Sequence, residues 1–224
     1  MSQDNFDIII REFTSKSNLE DRYTSFDYCY NYFKTNHNYT FDIEKSCLTL
    51  GFYLASWGMF RGSSFLLQKN ARHFRQTIEY ISTLDKTIWD IDVDNYDEDN
   101  IEKIIEIYRE IKGRLILNSE NADVTLVTKV LLGVFGFIPA FDQYFCNTFR
   151  SLYNNKCGFR RVNVNSLNYV KDFYLKNKLD IDRLSSETFT TNFDTGLKTK
   201  IQYPKAKLID MYGFSLGIKQ SKIK

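Results

Sequence analysis

The chain is short of residues that break helices and of residues that bind transition metals. Pro139 and Pro204 are its only prolines, and His37 and His73 its only histidines, in 224 residues. Scarce proline leaves helical periods uninterrupted. Two histidines far apart in sequence give no zinc site of the usual Cys/His kind. The four cysteines, Cys29, Cys47, Cys146 and Cys157, form no C-x-x-C pair, so reduced thiols in a cytoplasmic protein are expected. No apolar run approaches the ~20 residues that span a bilayer, so no membrane partner is expected. The start, MSQDNFDIII, has no basic region followed by a long apolar stretch, which argues against a signal peptide. The G-x-x-x-x-G-K-[ST] phosphate loop is missing. Residues 90–99, DIDVDNYDED, have the acids of a calcium loop without its sixth-position glycine or twelfth-position glutamate. They read as an acidic loop ahead of a helix, and no cofactor or metal is expected. Repeats and low-complexity segments are absent too.

What is present suits a globular body. Hydrophobic residues make up 43% of the chain and aromatics 16%, enough for one substantial core. Phe and Tyr in such numbers read first as core payload rather than as a surface for stacking bases. The net charge is only +2 but lopsided. Acids crowd between Glu79 and Glu110, while lysine and arginine dominate from Arg150 onward, which permits an anionic partner for the C-terminal part.

Helical spacing recurs along the chain. It predicts helices over Asp4–Phe13, from an Asn18 cap to His37, and from a Thr40 cap through Phe60. Further helices are predicted over 68–83, Asp99–Leu117, the stretch before Gly136, Phe145–Tyr153, the segment capped by Ser166, and the segment after Pro204. Residues 188–203 read as loop or a small hairpin. The fold class is therefore all-α, a multi-helix domain over 1–224 with two lobes, 1–113 and 114–224, and a cleft between them.

Two places hint at chemistry. Arg61-Gly62-Ser63-Ser64 ends a helix with small polar residues and could cradle an anion. Lys69, Arg72, His73 and Arg75 follow on the next predicted helix, a basic cluster able to take phosphates. The other place is Ala122–Phe145, where an apolar helix meets Gly133 and Gly136, then Pro139, then Asp142 among aromatics. A carboxylate so placed is a candidate base or electrostatic stabiliser if desolvated, and otherwise the N-cap of the helix that follows. Lys129 falls where it could pair with Asp142, weakly if at the surface. Trp57, Trp89 and Tyr53 read as core.

Val127–Asp142, VTKVLLGVFGFIPAFD, resembles the end of the DNA-contacting motif in helix-hairpin-helix DNA glycosylases, with Gly136, Pro139 and Asp142 in similar places. The resemblance implies an all-α fold in two lobes, DNA as partner, and Asp142 as the catalytic carboxylate of monofunctional base excision. The family's hairpin glycines are absent: Asn118–Leu126 stands there and keeps only the threonine, Thr125. Val124 takes the place of the lyase lysine. Arg61, Ser63, Ser64, Lys69, Arg72 and Lys129 are the candidate phosphate contacts. Two readings from other classes stand beside this one. One is a non-catalytic helical module with a protein partner. The other is a binder of a small anionic ligand beside Arg61 and Ser63–Ser64.

Overall fold

The computed structural model describes residues 6–15, 18–37, 41–116 and 124–222. The fold is all-α, 69% helical, with a single two-stranded sheet among the described residues. The helices are α1 (Phe6–Ser15), α2 (Ser25–Asn36), α3 (Ile43–Ser56), α4 (Arg75–Ile81), α5 (Glu98–Leu115), α6 (Val124–Phe135), α7 (Gln143–Leu152), α8 (Val164–Lys176), α9 (Lys178–Glu187) and α10 (Lys205–Ser221). Strands β1 (Phe189–Thr191) and β2 (Lys198–Gln202) form an antiparallel hairpin between α9 and α10.

Two helices are enclosed by the rest. Every residue of α6 from Leu126 to Phe135 is buried, and so are Ala206–Phe214, Leu216 and Gly217 of α10. Around α6 stand α2, α3 and α5, and around α10 stand α1, α7 and α9. The other helices follow their apolar stripes, as in α5, where Ile101, Ile104, Ile105, Tyr108 and Ile111 turn inward. Buried side chains from both sides of position 113 belong to one cluster running from Phe6 to Leu216. Close approach marks the contact between α6 and α3. A Cβ on Gly133 would lie 2.4 Å from the Tyr53 ring, so only glycine lets that ring rest on α6.

Local chemistry moves several boundaries. Thr40, Asp4 and Leu117 lie outside the described residues, and the α3 cap is Asp42, which accepts the Lys45 amide at 3.0 Å. α3 stops at Ser56 because Gly58, at φ +75°, turns the chain. The helix expected over 68–83 is shorter. Lys69 and Asn70 are extended, Asn70 accepts the Arg72 amide at 3.0 Å, and only 75–81 is α-helical. α8 is capped by Asn163 rather than Ser166, which instead completes the capping box.

The acidic loop fastens α10. Asp92 accepts the Lys205 amide at 2.7 Å and the Ala206 amide at 2.9 Å, two donors that the first turn of α10 leaves unpaired. Burial outweighs these amides and pushes the Asp92 carboxyl from 3.8 up to about 6. With the higher pKa in the folded state, its contribution to stability is complete below pH 3.8 and lost as pH rises through 6. Urea titrations of wild type and Asp92→Asn should therefore show the wild-type advantage shrinking between about pH 4 and about pH 7, by about 1–3 kcal/mol. An advantage that grows over that range would mean that the Lys205 and Ala206 amides outweigh burial, and would contradict the raised pKa.

Candidate functional site

Trp57, the residue that closes α3, is only 8% exposed, and cations surround it. The Lys129 ammonium lies 4.8 Å from its ring centroid and the Lys207 ammonium 4.9 Å, with the Arg22 guanidinium at 5.9 Å. Lys207 also stands 4.7 Å from the Phe26 ring. Aromatic faces attract cations, and more strongly where water is excluded.

Each lysine has one carboxylate. Lys129 Nζ donates to Asp142 Oδ2 at 3.2 Å, and Lys207 Nζ donates to Asp210 Oδ2 at 2.9 Å. All four residues are buried. Helix geometry places them there. Lys129 sits in the middle of α6, which has no solvent face, and Lys207 and Asp210 occupy one face of the first turns of α10. The Asp142 Oδ1 atom accepts the Phe145 amide at 3.0 Å and so caps α7. Asp210 Oδ1 accepts the Ala140 amide at 3.1 Å, which ties α10 to the extended segment between α6 and α7. That segment is held from its other side by Thr128 Oγ1, which accepts the Phe141 amide, and by Thr125 Oγ1, which donates to the Phe141 carbonyl.

The donors are under-used. An ammonium carries three N–H groups, and Lys129 and Lys207 each make one hydrogen bond among the described residues. The Trp57 indole Nε1 is buried with no hydrogen-bond partner among the described residues. Trp89, the other tryptophan, donates normally to the Val134 carbonyl at 2.9 Å. Tyr53 completes the surroundings. Burial raises its hydroxyl pKa well above the ordinary value, and Cys29, Asp210 and Asp142 add to the rise.

Two hollows flank this cluster. A groove of about 1150 Å³ runs between α2, α3 and the hairpin and is lined by Arg22 and Tyr53. A cavity of about 530 Å³ between the start of α2, the hairpin and α10 is lined by Lys207, Lys198 and Tyr23. It also holds Asp27, which accepts from the Tyr203 hydroxyl at 2.5 Å and the Thr191 amide at 2.7 Å, and whose carboxyl pKa burial raises. Two further hollows lie against α8.

The residues singled out from the sequence divide into two sets. Asp142 and Lys129 meet, as a buried pair rather than a surface one, with Asp142 serving as helix cap. Arg61, Ser63, Lys69 and Arg72 are exposed, and the Arg61 side chain lies back over Gly58. Ser64 is engaged by the Met59 carbonyl and the Leu66 amide. None of these seven residues lines any of the four hollows. Residues 118–123, which carry the comparison with the glycosylase hairpin, lie outside the described residues. Among the described residues no group of three or more His, Cys, Asp or Glu side chains is gathered as a metal ion would require.

Trp57, Lys207 and Asp210 are the members that the sequence pattern does not single out. A Lys and an Asp three apart in an otherwise apolar helix, KAKLIDMYGF, are the one local sign of a buried pair.

Removing one partner of a buried pair strands the other charge. Lys129→Met and Asp142→Asn should each lower the unfolding free energy by about 3–5 kcal/mol, and the double variant by clearly less than their sum. Strict additivity in urea denaturation would contradict the pair. No family model, curated protein or solved structure matches the chain.

Proposed function

We propose that the protein binds a small anionic molecule at the Trp57 cluster. One observation carries the reading: among the described residues, two buried ammonium groups and a buried indole N–H have between them only the acceptors Asp142 and Asp210. Buried donors without acceptors cost about 1–3 kcal/mol each, more when charged. A fold with no use for them would be expected to replace Trp57 by phenylalanine and a Lys–Asp pair by leucines, which is often stabilising. A phosphate or carboxylate supplies acceptor oxygens and the negative charge that Lys129, Lys207 and Arg22 together favour over two carboxylates. Lys207 is the member of the cluster that lines the cavity of about 530 Å³, so an anion would meet the cluster first at that lysine.

This reading keeps the anionic ligand expected from the sequence and moves it away from Arg61 and Ser63–Ser64. The glycosylase-like alternative rests on the Gly136–Pro139–Asp142 spacing, and its DNA partner is an arm of the same test. Thermal unfolding should be followed with a panel of phosphorylated and carboxylated metabolites and with duplex DNA. The expected result is a rise in Tm by several degrees for a member of the small-molecule panel, since saturation at 100 Kd is worth about 2.7 kcal/mol. The shift should vanish in Lys207→Met and in the charge-balanced Lys207→Met/Asp210→Asn. No shift with any small anion, together with duplex binding that weakens steeply with salt, would overturn the proposal in favour of a nucleic-acid protein.

A further inference from the structure

We infer that the ligand of this site is a small zwitterion, its anionic oxygens held at Lys207 and its ammonium group held at Asp27 in the cavity between the start of α2, the hairpin and α10. The inference rests on the anionic-ligand reading and adds the opposite charge at the other end of the molecule.

Both charges line one cavity. Lys207 and Asp27 are wall residues of the same hollow, and they are 2% and 0% exposed. Lys207 is itself a member of the Trp57 cluster. Tyr23, another wall residue, sets its ring edge-on against Trp57 with centroids 5.7 Å apart. No hydrogen bond or ion pair joins Lys207 to Asp27. The lysine donates to Asp210, and the carboxylate accepts from Tyr203 and Thr191.

Asp27 is the acid that lacks a counter-ion. Among the buried acids of the described residues, Asp142 and Asp210 each bind a lysine, and Asp27 binds none. A carboxylate offers roughly four lone-pair sites, and the Tyr203 hydroxyl and Thr191 amide occupy only part of that capacity. Lys198 is near enough to favour the charge, but its ammonium donates to the Thr191 hydroxyl at 3.1 Å. Burial outweighs all of these and raises the carboxyl pKa. Fastening the hairpin to α2 accounts for the two bonds and leaves the buried charge without a cation. An ammonium arriving from outside would meet it with a charge-assisted hydrogen bond.

The rest of the lining agrees. Lys198 and Lys207 face Asp27 and Glu187, a balance that suits a molecule carrying both signs. Glu187 already pairs with Arg11 and Arg183, which leaves Asp27 to receive a cation. Phe13, Leu19, Phe189 and Met211 give apolar wall for a carbon skeleton. The volume of about 530 Å³ lies inside the range usual for small-molecule sites. Carboxylate and phosphate share the acceptor chemistry that Lys207 lacks, and the ligand panel separates them.

Calorimetric titration tests this with glycine, β-alanine, γ-aminobutyrate, leucine and phosphoethanolamine. Each is paired with its analogue lacking the amino group: acetate, propionate, butyrate, isocaproate and ethyl phosphate. At least one zwitterion should bind about tenfold or more tightly than its analogue, as one hydrogen bond between charged groups implies. Asp27→Asn should remove that preference and leave binding of the analogue unchanged. Should Asp27→Asn fail to fold, nuclear Overhauser contacts in the wild type, from the carbon beside the ligand nitrogen to the Tyr203 ring, place the ammonium instead. Analogues that bind as tightly as every zwitterion would overturn the inference and leave the anion site standing. A preference that survives Asp27→Asn, or ligand contacts that miss Tyr203, would overturn the place given to the ammonium. If no carboxylate or phosphate of either set binds, the anion reading itself fails and this inference with it.

Discussion

The arrangement depends on keeping charge inside a helical core. Lys129 and Asp142 are 4% and 9% exposed, and Lys207 and Asp210 are 2% and 4% exposed, with the Trp57 ring 4.8 and 4.9 Å from the two ammonium groups. Taking an ion out of water costs several kcal/mol, and a single partner seldom returns all of it. Here the carboxylates are secured twice, by a lysine and by a backbone amide, while the lysines are secured once and lean on aromatic faces. The imbalance falls entirely on the donor side, and that points to an acceptor arriving from outside.

The fold supports the cluster from several directions. α6 brings Lys129, the segment after Gly136 brings Asp142, α10 brings Lys207 and Asp210, and the end of α3 brings Trp57. The clamp of Asp92 on the first amides of α10 sets where Lys207 begins its reach. Asp27, tied to Thr191 and Tyr203, holds the hairpin against α2, and the hairpin closes both hollows that adjoin the cluster. The site therefore draws on residues from 22 to 210, and no short segment contains it.

That spread explains how much was legible in the sequence. The all-α class was readable because apolar periodicity is local: Ile101, Ile104, Ile105, Tyr108 and Ile111 mark one helix face without reference to the rest of the chain. Gly136, Pro139 and Asp142 were readable as a turn and a cap for the same reason. The break of the 68–83 segment at Asn70 was not, because a side chain competing for its own backbone leaves the apolar pattern intact. The Lys129–Asp142 pair was visible as a spacing, but its burial was not, since α6 is enclosed on all sides by helices that periodicity does not locate. Lys207 and Asp210 were hidden further, inside a helix whose apolar count already explained its burial. Aromatic abundance concealed Phe52 and Phe193 among many core rings, and only folding shows which of them face water.

The two indole groups provide the most direct test, because one serves as control for the other. Trp57 Nε1 has no partner among the described residues, and Trp89 Nε1 is satisfied by the Val134 carbonyl. In proton–nitrogen correlation spectra recorded at constant ionic strength, titration with inorganic phosphate should shift the Trp57 indole signal saturably and leave Trp89 in place. Two unmoved indole signals, or two that drift together without saturation, would contradict an anion site at Trp57.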